Sequence, residues 1–259
     1  MLSYQHGYHA GNLADVHKHA LLAWVLNYLA LKDKPLSYIE THAGRGLYRL
    51  DTEAARKTGE AAAGIGRLEQ GLDPTHPYRR AIDMARAAHG IASYPGSPLI
   101  AAHLLRHSDR MVLAELHPQE HAALAAVLGS RATIHRRDGL EMALAVCPPM
   151  PRRGVLMVDP SYEVKTDYET LPRFLTAIRR KWNVGVLILW YPILTGAPHA
   201  PMIDRLRADH PDVALFESRF APIRPGHRMT GSGLAVVNPP FGMADEAAMV
   251  EGLIRQIVA

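Results

Sequence analysis

The chain is predicted to fold as a doubly wound α/β protein with a mostly parallel sheet, and three observations carry that prediction. Short apolar runs alternate with helical patterns from residue 36 onward, the rhythm of strand–helix–strand units. Four of those runs end in a carboxylate: Glu40, Glu115, Asp138 and Asp159. A further run, 184–191, is apolar throughout, as a strand buried on both faces must be.

The elements follow in order. Asn12 or Asp15 is placed to cap a helix running to about Lys32, with apolar residues at Ala20, Leu21, Trp24, Val25, Tyr28 and Leu29. Lys34-Pro35 ends it, and 36–40 reads as the first strand, followed by the glycine-containing loop 41–46. Residues 52–92 are alanine-rich and helical, with Gly71, Pro74 and Pro77 breaking them into at least two helices. They predict a small helical insertion in a larger domain made of 1–51 and 93–259. Residues 94–98 open another helix, to about Arg106. Strands are predicted at 110–115, 133–138, 154–159 and 184–191, with helices at 118–129, 139–146 and 167–181 between them. The runs 213–219 and 233–238 read as two final strands joined by the basic loop 223–232.

Composition narrows the class. A chain of 259 residues with 48% apolar content can bury a full core. The 29 basic and 25 acidic residues leave a formal charge of +4, a mild pointer to a polyanionic partner. Cys147 is the only cysteine, which excludes an internal disulfide and a cysteine zinc cage. The start of the chain has no apolar core of the signal-peptide kind. The longest apolar stretch, 184–194, is too short to span a bilayer and contains Pro192. These features predict a cytoplasmic protein with no membrane partner.

Residues 154–162 are the most informative stretch. An apolar strand ends in Asp159-Pro160-Ser161-Tyr162, which places a carboxylate, a stiff turn and an aromatic ring at the carboxyl edge of the sheet. A carboxylate there can accept a hydrogen bond from an exocyclic amine and raise the electron density on its nitrogen. An aromatic ring can stack on a base, typically worth roughly 1–3 kcal/mol. The loop 41–46 is by itself an ordinary tight turn, but a strand-end acid such as Glu115 commonly holds ribose hydroxyls. Glu115 follows the loop by about seventy residues instead of the usual ~20, a gap the 52–92 insertion accounts for. Asp138, before Gly139, is placed to bind an adenine amine. Helix N-capping is the alternative role for either acid. No basic phosphate cradle is evident, so adenosine with a cationic sulfonium arm fits better than a pyrophosphate. His6, His9, His17 and His19 match no common zinc spacing, and no metal site is predicted. The other basic clusters, such as Arg136-Arg137, Arg152-Arg153 and Arg179-Arg180-Lys181, read as solvated helix ends or a phosphate-tracking face.

The four-residue turn resembles the Asp-Pro-Pro-Tyr motif of adenine-N6 methyltransferases, with Ser161 in place of the second proline. Further blocks extend the likeness along the whole chain: 1–4, 9–12, 14–19, 41–44, 94–101, 115–118, 165–168, 189–192 and 229–233. With these in hand the chain resembles the RlmJ family, the 23S rRNA (adenine-2030-N6) methyltransferases. The resemblance implies a class I S-adenosylmethionine-dependent methyltransferase fold, with a seven-stranded, mostly parallel, Rossmann-like sheet whose last strand is antiparallel. It implies cofactor contacts from His19, His42, Ser97, Glu115, Asp138, Gly139 and Asp159. Asp159, Pro160 and Tyr162 are the implied catalytic residues. Tyr4, His6 and Lys18 belong to an amino-terminal segment expected to cover the cofactor and receive the adenosine. The implied partner is protein-poor 23S rRNA, and the implied state a monomer. Two rivals remain at this stage: a DNA adenine-N6 methyltransferase, and a non-catalytic nucleic-acid-binding protein serving DNA uptake or use.

Overall fold

In the computed structural model, which describes residues 6–222, 226 and 228–258, the chain opens with a 3-10 turn at His6–Tyr8 and helix α1 (Leu13–Ala30). Asn12 caps α1, its side-chain oxygen accepting from the Asp15 N–H at 2.9 Å. Strand β1 (Ser37–Glu40) follows. A two-stranded antiparallel ribbon, β2 (Leu47–Arg49) with β3 (Ser93–Pro95), then brackets four helices. These are α2 (Glu53–Thr58), α3 (Glu60–Ala63), α4 (Ile65–Leu68) and α5 (Pro77–His89). Beyond the ribbon come α6 (Ser97–Leu104), β4 (Arg110–Ala114), α7 (Pro118–Leu128), β5 (Thr133–His135) and α8 (Gly139–Val146). The rest is β6 (Gly154–Val158), α9 (Asp167–Lys181), β7 (Val186–Leu194), α10 (Ala200–Asp209), β8 (Ala214–Arg219), β9 (Met229–Val237) and α11 (Met243–Val258).

The seven-stranded sheet has the order β5-β4-β1-β6-β7-β9-β8, in which only β9 runs antiparallel to its neighbours. Numbered within the sheet this is 3-2-1-4-5-7-6, the class I methyltransferase order. Strand order reverses between β1 and β6, so the crevice beyond their carboxyl ends is the natural ligand site of such a sheet. β1 and β6 are buried at every position, as strands covered on both faces must be. Helix α1 packs against α5, α6, α11 and β9. Enclosed on all sides, it shows no single apolar stripe and buries Asp15, His17, Lys18 and His19 along with its leucines.

The structure corrects several predicted bounds. β5 ends at His135, three residues before Asp138, because it is an edge strand paired only with β4 and its continuation is exposed. β7 runs on to Leu194 through Pro192. Beyond Leu189 it pairs only with β9, so the missing proline N–H interrupts no second ladder. β9 starts at Met229, well before the predicted 233. Helices α10 and α11 and the β2–β3 ribbon are additions to the predicted elements. No helix among the described residues is long and apolar enough to cross a membrane.

Candidate active site at the carboxyl edge of the sheet

Helical spacing puts Asp15, Lys18 and His19 on one face of α1. Lys18 Nζ lies 3.0 Å from Asp15 Oδ1 and 2.7 Å from Asp159 Oδ2, so it bridges α1 to the end of β6. The Lys18 and Asp15 side chains are 6% and 3% exposed and that of Asp159 is 13% exposed, which makes this a buried ion triad rather than a surface pair. Burial opposes the charge on Lys18, but Asp159 and Asp15 together outweigh it and hold its pKa up. Burial likewise works against the Asp15 carboxylate, yet its electrostatic interactions with His6, Lys18 and His19 and the hydrogen bond with His6 hold its pKa well below the usual range. Asp15 Oδ2 also accepts from the Gly11 N–H at 2.9 Å and sits 2.9 Å from His6 Nε2. A continuous chain, His6–Asp15–Lys18–Asp159, thus runs from the amino-terminal turn to the end of β6.

The neighbouring histidines of α1 are of a different kind. Burial pushes His17 down to about 4 and, with Lys18 nearby, His19 down to about 3, against the opposing pull of Asp15 on His19. Both are neutral near pH 7. His19 Nδ1 is 2.8 Å from the Tyr94 hydroxyl, which is 2.8 Å from that of Tyr78. His17 Nδ1 is 3.0 Å from Ser232 Oγ, which accepts the Trp190 indole N–H at 2.9 Å.

After Asp159 the chain turns through buried Pro160 and half-buried Ser161 to Tyr162, which takes φ 56°. A left-handed conformation costs a residue with a Cβ about 1–3 kcal/mol unless its surroundings enforce it. Here they do. The Tyr162 hydroxyl donates to the Trp190 carbonyl at 2.7 Å, and its ring packs on Tyr168 at 4.8 Å and edge-on to Trp190 at 6.0 Å. The Trp190 ring in turn lies 5.4 Å below Lys18 Nζ. The tyrosine predicted to hold a base is therefore itself held, 9% exposed, in the wall beside Asp159.

The end of β1 supplies a residue the sequence reading did not single out as a site residue. Glu40 is fully buried; its Oε1 accepts from Ser97 Oγ at 2.5 Å and its Oε2 from the Tyr38 hydroxyl at 2.9 Å. Burial, with help from nearby Asp159, raises its pKa to about 8 against the opposing effect of those two donors and of Lys18. Its carboxyl is protonated at neutrality. The signal was present, since Glu40 is one of the four strand-end acids, but its partner Ser97 is 57 residues away.

Around β1 the other predicted residues assemble. Glu115 accepts the Gly44 N–H at 2.8 Å and the His117 N–H at 2.7 Å, which pins the β1 loop to the end of β4. Burial raises the Glu115 pKa despite those backbone donors. Gly44 has φ 61°, and a Cβ there would stand 2.6 Å from the Tyr48 hydroxyl. Gly139 opens α8 so close to β1 that a Cβ would meet the Thr41 carbonyl oxygen at 1.8 Å. Asp138, exposed, accepts the Glu141 N–H at 2.9 Å and caps α8, the alternative role foreseen for it. Between them His42 Nδ1 lies 2.8 Å from Thr41 Oγ1; burial lowers its pKa while Asp159 and Asp138 pull it up. Ser97 reaches the site through Glu40, and His19 turns to Tyr94. Tyr4 lies outside the described residues. No group of three or more His, Cys, Asp or Glu side chains among the described residues is placed to hold a metal.

A second string of the same appearance, Asn238-Pro239-Pro240-Phe241, follows β9. Because β9 is antiparallel, this string lies at the opposite edge of the sheet. The Asn238 amide donates to the Asn183 and Gly185 carbonyls at 3.0 and 2.9 Å, a structural tie.

Comparison with known proteins gives the family. The family model described as Ribosomal RNA large subunit methyltransferase D, RlmJ, matches residues 33–259. Ribosomal RNA large subunit methyltransferase J of Escherichia coli (strain K12) is 37% identical over 252 residues, 95% of this chain and 90% of that protein. Its namesake from Haemophilus influenzae is 36% identical over 248 residues, 93% of this chain and 88% of that protein. Among solved structures, protein LPL1258 from Legionella pneumophila superposes with a TM-score of 0.88 at 33% identity, covering 96% of this chain and 94% of the other.

Proposed function

We propose, from the premise that this chain belongs to the RlmJ family of large-subunit ribosomal RNA methyltransferases, that it methylates N6 of one adenine of 23S rRNA, position 2030 in standard numbering. The observation that supports this most is the Lys18–Asp159 pair at the strand-order reversal. It sets a carboxylate, 13% exposed and 2.7 Å from a buried ammonium, where the strand order reverses.

The cofactor of this reading is S-adenosylmethionine, and the donor set fits it. Glu115 directly follows β4, and Asp138 caps α8 just beyond the neighbouring β5, on the adenosine side. Gly139 lets α8 start directly against the Thr41 backbone, and Gly44 lets the β1 loop turn against Tyr48. When bound, the cofactor would supply an electrophilic methyl group whose bond to the sulfonium sulfur breaks in the transfer, with the neutral thioether as leaving group. His19, His42, Ser97, Glu115, Asp138, Gly139 and Asp159 line this site in the reading. Residues 52–92 are kept as the inserted helical lobe, with 1–51 and 93–259 as the methyltransferase domain. The site of action is the cytoplasm.

Asp159 has a divided task. Lys18 occupies Oδ2, which leaves Oδ1 to accept the amine N–H. The exocyclic nitrogen of adenine is a poor nucleophile because its lone pair is delocalised into the ring. An anionic acceptor and the Pro160 carbonyl concentrate electron density on it as the new C–N bond forms, and the released proton passes through Asp159 to water. Lys18 aims the carboxylate through its 2.7 Å contact; Tyr162 and Trp190 fix the wall against which the base is placed. Tyr4 and His6 belong to the segment that receives the adenosine. Positioning supplies most of the rate in such a transfer. A base already unstacked in an RNA loop costs least to extract, which favours rRNA over duplex DNA.

The test is Asp159→Ala. The variant is expected to fold and to give the wild-type thermal shift with S-adenosylmethionine, while transfer falls at least a hundredfold. Near-normal turnover would remove Asp159 from the assigned role.

A further inference from the structure

The wall formed by Tyr162 has a far side. There a cleft of about 590 Å³ opens between the first turns of α9 and α10, at the carboxyl end of β7. Its size is that of pockets that take nucleotide-sized ligands. Its apolar lining is Tyr168, Pro172, Leu194, Pro198 and Met202. Tyr168 is already stacked at 4.8 Å on Tyr162.

The rim is cationic. Lys165, Arg173, Arg205 and Arg228 line the cleft and are exposed, against a single lining acid, Glu169. Arg205 is paired with Asp209 at 2.8 Å. The other three have no ion-pair partner among the described residues. The hollow at the opposite edge of the sheet is built differently. It is also lined by cations, but Arg179 there is ion-paired with Asp212, and Lys181 donates to the Leu144 carbonyl at 2.7 Å.

We propose that the α9–α10 cleft holds the single-stranded RNA next to the target adenosine, an assignment that rests on the methyl-transfer reading above. One unstacked base lies on the Tyr168 side of the lining, and its flanking phosphates sit on Lys165, Arg173 and Arg228. An apolar lining under a cationic rim is the chemistry of single-stranded nucleic acid: bases stack while the backbone follows the charge. A rigid duplex cannot present a base to such a lining. Tyr162, three residues after Asp159, lines the cleft, so only this wall separates an adenine in the active site from its neighbour here.

The test uses the whole chain and an unmodified 23S rRNA fragment carrying the target adenosine. The Lys165→Ala/Arg173→Ala/Arg228→Ala variant is compared with wild type and with Arg152→Ala/Arg180→Ala/Lys181→Ala, which removes equal charge at the opposite edge. RNA affinity is measured from 50 to 200 mM salt, alongside KM, kcat and the thermal shift with S-adenosylmethionine. Losing three phosphate contacts flattens the slope of log K against log salt by about 2–3. The cleft variant is expected to show that change, with at least a tenfold higher KM for RNA and an unchanged cofactor shift. An unchanged slope and KM would overturn the assignment and leave the cleft to another partner, such as an acidic protein. An equal loss in the opposite-edge variant would also overturn it, by showing only the effect of net charge. If wild type binds the RNA but transfers no methyl group to it, the underlying reading fails instead.

Discussion

Lys18→Met tests the buried ion triad most sharply. Lys18 Nζ is within 3.0 Å of two carboxylates, Asp15 and Asp159, and its side chain is 6% exposed. A methionine fills similar space with no charge, and leaves both acids in a poorly hydrated site. Removing one partner of a buried pair costs about 3–5 kcal/mol. For a chain of this length each kcal/mol lowers Tm by roughly 2 °C, so a drop of about 6–10 °C is expected. Asp159→Asn is milder, since Lys18 keeps Asp15 at 3.0 Å; a charge-assisted hydrogen bond is lost, worth about 1.5–3 kcal/mol, or about 3–6 °C. The sign of the combination is decisive. In the Lys18→Met background Asp159 is an orphaned charge, so adding Asp159→Asn should recover stability rather than lose more. Thermal unfolding by circular dichroism at pH 7 and low salt reads all four proteins. Additive losses in the double variant would show that the two residues are not coupled and would refute the triad.

Three other outcomes are expected. Glu40 has its pKa raised to about 8, so the stability its protonated form contributes is complete below the ordinary glutamate value and is lost as pH rises through about 8. The Tm difference between wild type and Glu40→Gln should therefore shrink or reverse from pH 5 to pH 9; a constant difference would contradict a buried neutral acid. Gly139→Ala forces a methyl group against the Thr41 carbonyl, and should cost about 3 kcal/mol with loss of the cofactor thermal shift. A wild-type shift would mean that α8 does not shape the site. Ser161 makes no hydrogen bond among the described residues, so Ser161→Pro should stabilise by about 0.4–1 kcal/mol through the unfolded chain and retain transfer. Destabilisation in urea titration would show that the loop needs the serine backbone.

The sheet was legible because its signals are local. The apolar runs at β1 and β6, the carboxylates that close them and the Asn12 cap are read within a few residues of sequence. Asp159 and Tyr162 stood out for the same reason. Their pairings did not: Lys18, expected in the site through the resemblance, is 141 residues from Asp159, and the Trp190 carbonyl that fixes Tyr162 is 28 residues on. No periodicity encodes such meetings. Asp138 was placed on a strand because 133–138 looks continuous, whereas an edge strand with one neighbour stops once its side chains face water. The β2–β3 ribbon, three residues a side, is too short to leave an alternating pattern. Helix α11 shows the opposite case. Its buried Ala247, Val250 and Ile254 stand at helical spacing, a signal present in the sequence and left unassigned. Glu40 was visible as a strand-end acid, but only burial beside Ser97 and Tyr38 makes it neutral.

Methyl transfer from labelled S-adenosylmethionine to unmodified 23S rRNA, run beside adenine-containing duplex DNA and followed by mapping of the label, tests the central claim most directly. The account predicts label on the rRNA alone, at N6 of a single adenine, and none with Asp159→Ala. Label on the duplex DNA, or on an rRNA atom other than an adenine N6, would contradict it.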